Sequence, residues 1–110
     1  MSRYKDRFLD YRVEIYALID PTNQELFYIG KTRCDLTQRL RLHVSHARKG
    51  DTTKTCDRIR EILKQGSYPV IVNVAVTNAK EWHIVEDIYI KAYRNAGYCL
   101  TNMVAGGGGE

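Results

Sequence analysis

Two short strand-like runs on either side of a tight turn constrain this chain most. The first, Val13 to Ile19, reads VEIYALI, with enough β-branched and aromatic character for a strand. Strict alternation places Val13, Ile15, Ala17 and Ile19 on one face and Glu14, Tyr16 and Leu18 on the other. The second, Leu26 to Ile29, ends at Gly30, a position suited to bare backbone. Between them, Asp20-Pro21-Thr22-Asn23 carries strong turn chemistry, since proline presets φ and Asn tolerates the left-handed region. An antiparallel hairpin is expected, with Tyr16 in its first strand and Tyr28 in its second.

Helical patterning follows at once. Asp35 is a good N-cap for a helix from about Leu36 to Lys49, with Leu36, Leu40, Val44 and Ala47 as its apolar stripe. Arg39, His43 and His46 share an adjoining face. Gly50 stops this helix, and Asp51 or Thr52 is expected to cap a second one up to about Gln65, its core face being Cys56, Ile59, Ile62 and Leu63. Val70 to Val76, VIVNVAV, is the most continuous β-branched run and reads as a third strand packed well inside. Asn78 is expected to cap a third helix through Ala96, with Trp82, Val85, Ile88 or Tyr89, and Ala92 facing the core and Glu86 one position off that stripe. The order β-β-α-α-β-α needs no parallel crossover. It predicts an α+β fold, a small three-stranded antiparallel sheet flanked by helices. Residues 1–11 read as an N-terminal arm, 12–105 as a single domain and 106–110 as a glycine-rich tail, which is either a flexible end or backbone that approaches a partner closely.

Composition narrows the functional classes. A chain of 110 residues suits one compact domain. Lys and Arg outnumber Asp and Glu by 17 to 13, which leans towards a polyanionic partner such as nucleic acid. Cys34, Cys56 and Cys99 are far apart and odd in number, which argues against a disulfide framework or a cysteine-ligated zinc site and favours a reducing, cytoplasmic compartment. His43 and His46 have no third ligand at zinc-site spacing. No apolar run reaches membrane-spanning length and no signal peptide is visible.

Ile15-Tyr16, then Tyr28-Ile29-Gly30, Arg39 and His43 on the following helix, Glu86 on the last helix and Asn102 after it together resemble the GIY-YIG nuclease family. The two tyrosines are twelve residues apart, and the likeness covers roughly Val13 to Gly109. Glu14 stands where the family name has glycine. The resemblance implies metal-dependent hydrolysis of a DNA phosphodiester bond. Glu86 would be the metal ligand; a single carboxylate suits Mg²⁺, with Mn²⁺ as a substitute. Arg39 would neutralise phosphate oxygens, to which its planar fork is matched. Tyr16 would be the general base or the phenol that orients the attacking water, with His43 and Lys31 as candidate partners. Tyr28 would position phosphate or metal-bound water. Lys31, Arg33, Arg39, Arg41 and Asn102 are the expected DNA contacts, Asn102 also tying the tail to the site. No separate DNA-reading module is expected, so binding would rest mostly on phosphates, by a monomer or weak dimer. The alternatives are a catalytically silent nucleic-acid-binding module and a regulatory interaction domain of the same fold. Intact Tyr16, Tyr28, Arg39 and Glu86 favour the enzyme.

Overall fold

The computed structural model describes residues 11–102. Positions 1–10, which hold most of the expected arm, and 103–110, which hold the glycine tail, lie outside the described residues. The elements are β1 (Arg12–Asp20), β2 (Glu25–Thr32), α1 (Leu36–Arg48), α2 (Lys54–Lys64), β3 (Val70–Asn78) and α3 (Trp82–Asn95). The strands form one antiparallel sheet in the order β2-β1-β3. The α+β architecture and the order β-β-α-α-β-α are those expected.

The first strand is the central one, and it is covered on both faces. Tyr16 and Leu18 pack with Phe27, Val44, Ala47, Cys56, Ile59 and Ile62, so α1 and α2 lie on that side. Ile15 and Ala17 pack with Ile29 and Ile90, which puts α3 on the other. The hairpin turn is fixed by Asp20, whose carboxylate accepts from Thr22 N at 2.9 Å and from Thr22 Oγ1 at 2.6 Å. Arg58 of α2 donates to the same carboxylate at 3.1 Å and docks the helix on the turn. Burial pushes the Asp20 pKa up, but the Thr22 hydrogen bonds and Arg58 outweigh it and hold the group below its ordinary value.

The structure corrects the sequence reading at four places. β3 is an edge strand with no buried residue, and Val70 and Val76 are 42% and 55% exposed. Its apolar run, interrupted by Asn73, comes from partial cover on both faces, while β1 takes the centre between its two partners. Gly30 does not end β2, which runs on to Thr32; Gly30 sits inside the strand opposite Tyr16. Thr53 caps α2 by accepting from Cys56 N, in place of Asp51 or Thr52. Asn78 closes the turn before α3, accepting from Lys80 N and Glu81 N, and the helix starts only at Trp82.

The expected core stripe of α3 holds at Val85 and, of the two alternatives offered, at Tyr89, but fails at Ala92. Val85, Tyr89, Ile90 and Tyr93 pack inward, whereas Ile88 is 58% exposed and Ala92 is exposed. At about 100° per residue, Glu86 lies among the inward residues and is half-buried.

Candidate active site

Pairing of β1 with β2 sets Tyr16 opposite Gly30 and Leu18 opposite Tyr28. Both phenols therefore project from the same face of the sheet, towards α1. Helix α1 begins at Asp35, whose side chain accepts from Gln38 N at 3.1 Å. That start aims Arg39 and His43, one turn apart, at the tyrosines. Tyr16 is the hub. Arg39 Nε donates to its oxygen at 3.1 Å, and its hydroxyl lies 2.7 Å from His43 Nε2. The Tyr28 and His43 rings meet edge to face with centroids 5.2 Å apart, and the Tyr16 and Tyr28 centroids are 6.1 Å apart.

Gly30 is the floor of this cluster. A Cβ there would fall 2.6 Å from Tyr16 Oη, 2.7 Å from Tyr16 Cζ and 2.7 Å from Tyr28 Cε2. No side chain fits. Glu14 meets no comparable demand, because Gln24 is the one described non-glycine residue with positive φ. Its carboxylate lies 3.6 Å from Arg12 and accepts from Asn73 at 2.8 Å.

The electrostatics order the protons. Burial raises the Tyr16 pKa well above its ordinary 10, and the Tyr28 phenol adds to this; the hydrogen bond and charge of Arg39 offset only part. Burial lowers the His43 pKa to about 4, helped by the charge of Arg39 and by His46. Burial works against the Arg39 cation, but the Tyr16 hydrogen bond and the nearby phenols outweigh it and raise its pKa. At neutral pH His43 is therefore uncharged and Arg39 stays charged.

The two phenols differ in access. Tyr16 is 0% exposed. Tyr28 is half-buried and lines an open cleft of about 210 Å³. His43, His46, Asp51, Thr53, Thr55, Cys56 and Thr101 complete its walls. Of the two candidate partners for the Tyr16 phenol, His43 is bonded to it; the Lys31 ammonium rests on the Trp82 ring, 4.5 Å from its centroid. Arg33 stacks on Tyr11, its Cζ 3.5 Å from the ring centroid. Arg41 is exposed and lies about 200° around α1 from Arg39, so the structure does not bring it to the cluster. Glu86 lies on α3, which packs on the opposite face of the sheet from the phenols.

Asn102 clamps the outer edge of β2. Its Nδ2 donates to Ile29 O at 2.7 Å and its Oδ1 accepts from Ile29 N at 3.0 Å. Thr101 adds a backbone bond to Phe27 O at 2.6 Å and a hydroxyl bond to Thr55 at 2.9 Å. Thr55 and Thr101 were not among the expected site residues; hydroxyls 46 positions apart leave no local signal.

Among the described residues, no three His, Cys, Asp or Glu side chains group as a metal centre. A hard divalent cation that keeps most of its waters needs only one or two carboxylates and fills the rest of its shell with substrate oxygens. Glu86 can meet that need, and His43 Nε2 is already engaged by Tyr16. The donor set fits an oxygen-preferring cation and not zinc. No described helix is long and apolar enough to cross a membrane.

A small antiparallel sheet thus carries two phenols, an arginine and an imidazole gathered over a strand glycine. The model of the GIY-YIG catalytic domain matches residues 13–99, and the chain belongs to that family. Membership points to nuclease activity with DNA as substrate, in a family that generally depends on a divalent metal. Comparison with curated proteins and with solved structures gave no match.

Proposed function

We propose that this protein is a Mg²⁺-dependent DNA endonuclease that hydrolyses one phosphodiester bond per active site, so that a monomer nicks duplex DNA; Mn²⁺ would serve in place of Mg²⁺. The hydrogen-bonded chain from Arg39 through Tyr16 to His43, beside a second phenol that faces an open cleft, carries this reading. Arg39 spends its Nε on Tyr16, which leaves its terminal nitrogens for two phosphate oxygens as charge builds there. Glu86 would hold the cation. When bound, that cation supplies charge neutralisation on the phosphate and a more acidic attacking water.

Full burial and a raised pKa support an orienting role for Tyr16 over a general-base role. It fixes the guanidinium on one side and the imidazole on the other. Tyr28, on the cleft, is then the phenol that meets the attacking water. Lys31, Arg33 and Arg39 would contact DNA phosphates. Asn102 holds the backbone on which Tyr28 and Gly30 sit. Incubating supercoiled plasmid with the protein tests the proposal. Relaxed circles formed with Mg²⁺ or Mn²⁺ and absent with chelator are expected. An intact plasmid under every metal condition, from a protein with a normal melting curve, refutes it.

A further inference from the structure

One end of the sheet, where β1 begins and β2 and β3 finish, carries two cations seated on two aromatic rings. Lys31 Nζ is 4.5 Å from the Trp82 centroid, and Arg33 Cζ is 3.5 Å from that of Tyr11. Both cations are exposed and both rings are half-buried. Among the described residues neither Lys31 nor Arg33 has a carboxylate partner. The carboxylate of Glu14, at the same end of the sheet, is taken up by Arg12 and Asn73. Cations held only by exposed ring contacts are weakly held, and a phosphate draws them off the ring readily.

The position of these pairs ties them to the proposed chemistry. Lys31 is the next residue along β2 from Gly30, the floor of the phenol cluster. Trp82 precedes Glu86 by four residues, one turn of α3 on the same side. Both pairs thus lie where β2 leaves Gly30 and where α3 leads to Glu86.

We propose that Trp82 and Tyr11, with Lys31 and Arg33, form a stacking site for unpaired nucleobases beside the cut. The preferred substrate is then DNA with a single-stranded segment at that point rather than intact duplex. This rests on the DNA reading proposed above. An aromatic ring or a guanidinium plane offers a flat face, and only an unpaired, unstacked base offers a matching one. Inside a duplex the base faces are covered by their neighbours, and the same patch would meet only phosphates. Lys31 and Arg33 neutralise the backbone while the rings take the bases, the division of labour that single-strand binding requires.

Trp82 is the single tryptophan of the chain, so its fluorescence reports this site alone. The full chain carrying Glu86→Gln, without divalent metal, is titrated with an oligodeoxythymidylate strand and with a duplex of equal length. Quenching by the single strand and little change with duplex is expected. By anisotropy of labelled DNA, Trp82→Leu lowers single-strand affinity by about 5- to 150-fold, the range for loss of one stacked base. Trp82→Phe keeps most of the affinity, and duplex affinity moves less than about twofold in either variant. Equal quenching by duplex, or undiminished single-strand binding by a folded Trp82→Leu, overturns the proposal. If Trp82→Leu does not fold, quenching of the unaltered ring and the Trp82→Phe affinity decide it. Quenching by single strands in a protein that nicks no DNA would refute the nuclease reading and uphold the stacking site. Nicking without quenching would do the reverse.

Discussion

Gly30→Ala tests whether the phenol cluster is built on a bare strand position. Two effects oppose each other. Gly30 is not among the positive-φ residues, so alanine adopts its backbone without strain and, by restricting the unfolded chain, would stabilise by about 0.4–1 kcal/mol. Against this, the new methyl would stand 2.6 Å from Tyr16 Oη and 2.7 Å from both Tyr16 Cζ and Tyr28 Cε2, where ordinary contact begins at 3.4 Å. The Tyr16 ring must move by about 0.8 Å and the Tyr28 ring by about 0.7 Å, the gaps from 2.6 and 2.7 Å to 3.4 Å. Tyr16 is wholly buried and bonded on both sides, so it cannot swing clear. Overpacking of this kind costs about 1–3 kcal/mol, and it wins. For a chain of this size each kcal/mol shifts Tm by about 4 °C, so a fall of several degrees is expected. The cleavage rate should fall further, by about a hundredfold, because misplacing the phenol by most of an ångström also misplaces Arg39 and His43. Thermal melts and single-turnover nicking with saturating Mg²⁺ measure the two effects. Adding Tyr16→Phe removes the 2.6 Å contact but leaves both 2.7 Å contacts, so it restores little. Gly66→Ala, with φ +79 and open space around its Cβ, costs only backbone strain and leaves the rate alone. A Gly30→Ala protein that melts and cuts like the unaltered chain would refute the reasoning.

Other perturbations reach the remaining parts of the site. Glu86→Gln keeps the volume and removes the charge of the proposed metal ligand; plasmid nicking should nearly vanish while gel-shift affinity holds or tightens, and nicking at an unaltered rate would unseat Glu86. The His43 pKa, lowered to about 4 from 6.5, makes the folded state refuse a proton that the unfolded chain accepts. Stability is therefore full above about pH 6.5 and is lost as pH falls towards 4, by at most about 3 kcal/mol; urea melts across that window should show the loss, and His43→Gln should flatten it. Asn102→Ala strips two hydrogen bonds from the Ile29 backbone, at a cost of about 1–3 kcal/mol in denaturant melts.

What the sequence made legible was what local chemistry determines. The hairpin turn from Asp20 and the Asp35 cap are read from neighbouring residues, and both lie where expected. The phase of α3 was legible only in part, because Ile84, Val85, Ile88, Tyr89, Ile90 and Tyr93 spread apolar groups round well over half of the helix. Only packing against Ile15, Ala17 and Ile29 selects the buried side and leaves Ile84 and Ile88 in water. The same reason hid the edge position of β3. A β-branched run reads alike in a central strand and in an edge strand half-covered on both faces. At the site, Tyr16, Tyr28, Arg39 and His43 were named through family likeness, but their difference in access was not. Tyr16 is sealed because β1 lies between β2 and β3, a long-range fact of strand order.

A consequence of that order is that β2 has one side open, and the segment after α3, at Thr101 and Asn102, closes it. Phe27 O receives Thr101, and both backbone groups of Ile29 are taken by Asn102. The Tyr28-Ile29-Gly30 segment is thus held from two sides, by β1 through the ladder and by the 101–102 segment along the edge. Side chains alternate along a strand, so a slip of one residue would turn Tyr28 away from His43 and put a side chain where only Gly30 fits. The same segment reaches further: Arg94 of α3 donates to Asn102 O at 2.8 Å, and Thr101 shares a hydrogen bond with Thr55 of α2. The helix bearing Glu86, the helix walling the cleft and the strand bearing Tyr28 therefore meet at two adjacent residues. The proposed site, with Glu86 on one face of the sheet and the phenols on the other, would need such a tie, because the core clusters on those faces are separate and neither fixes the other's register.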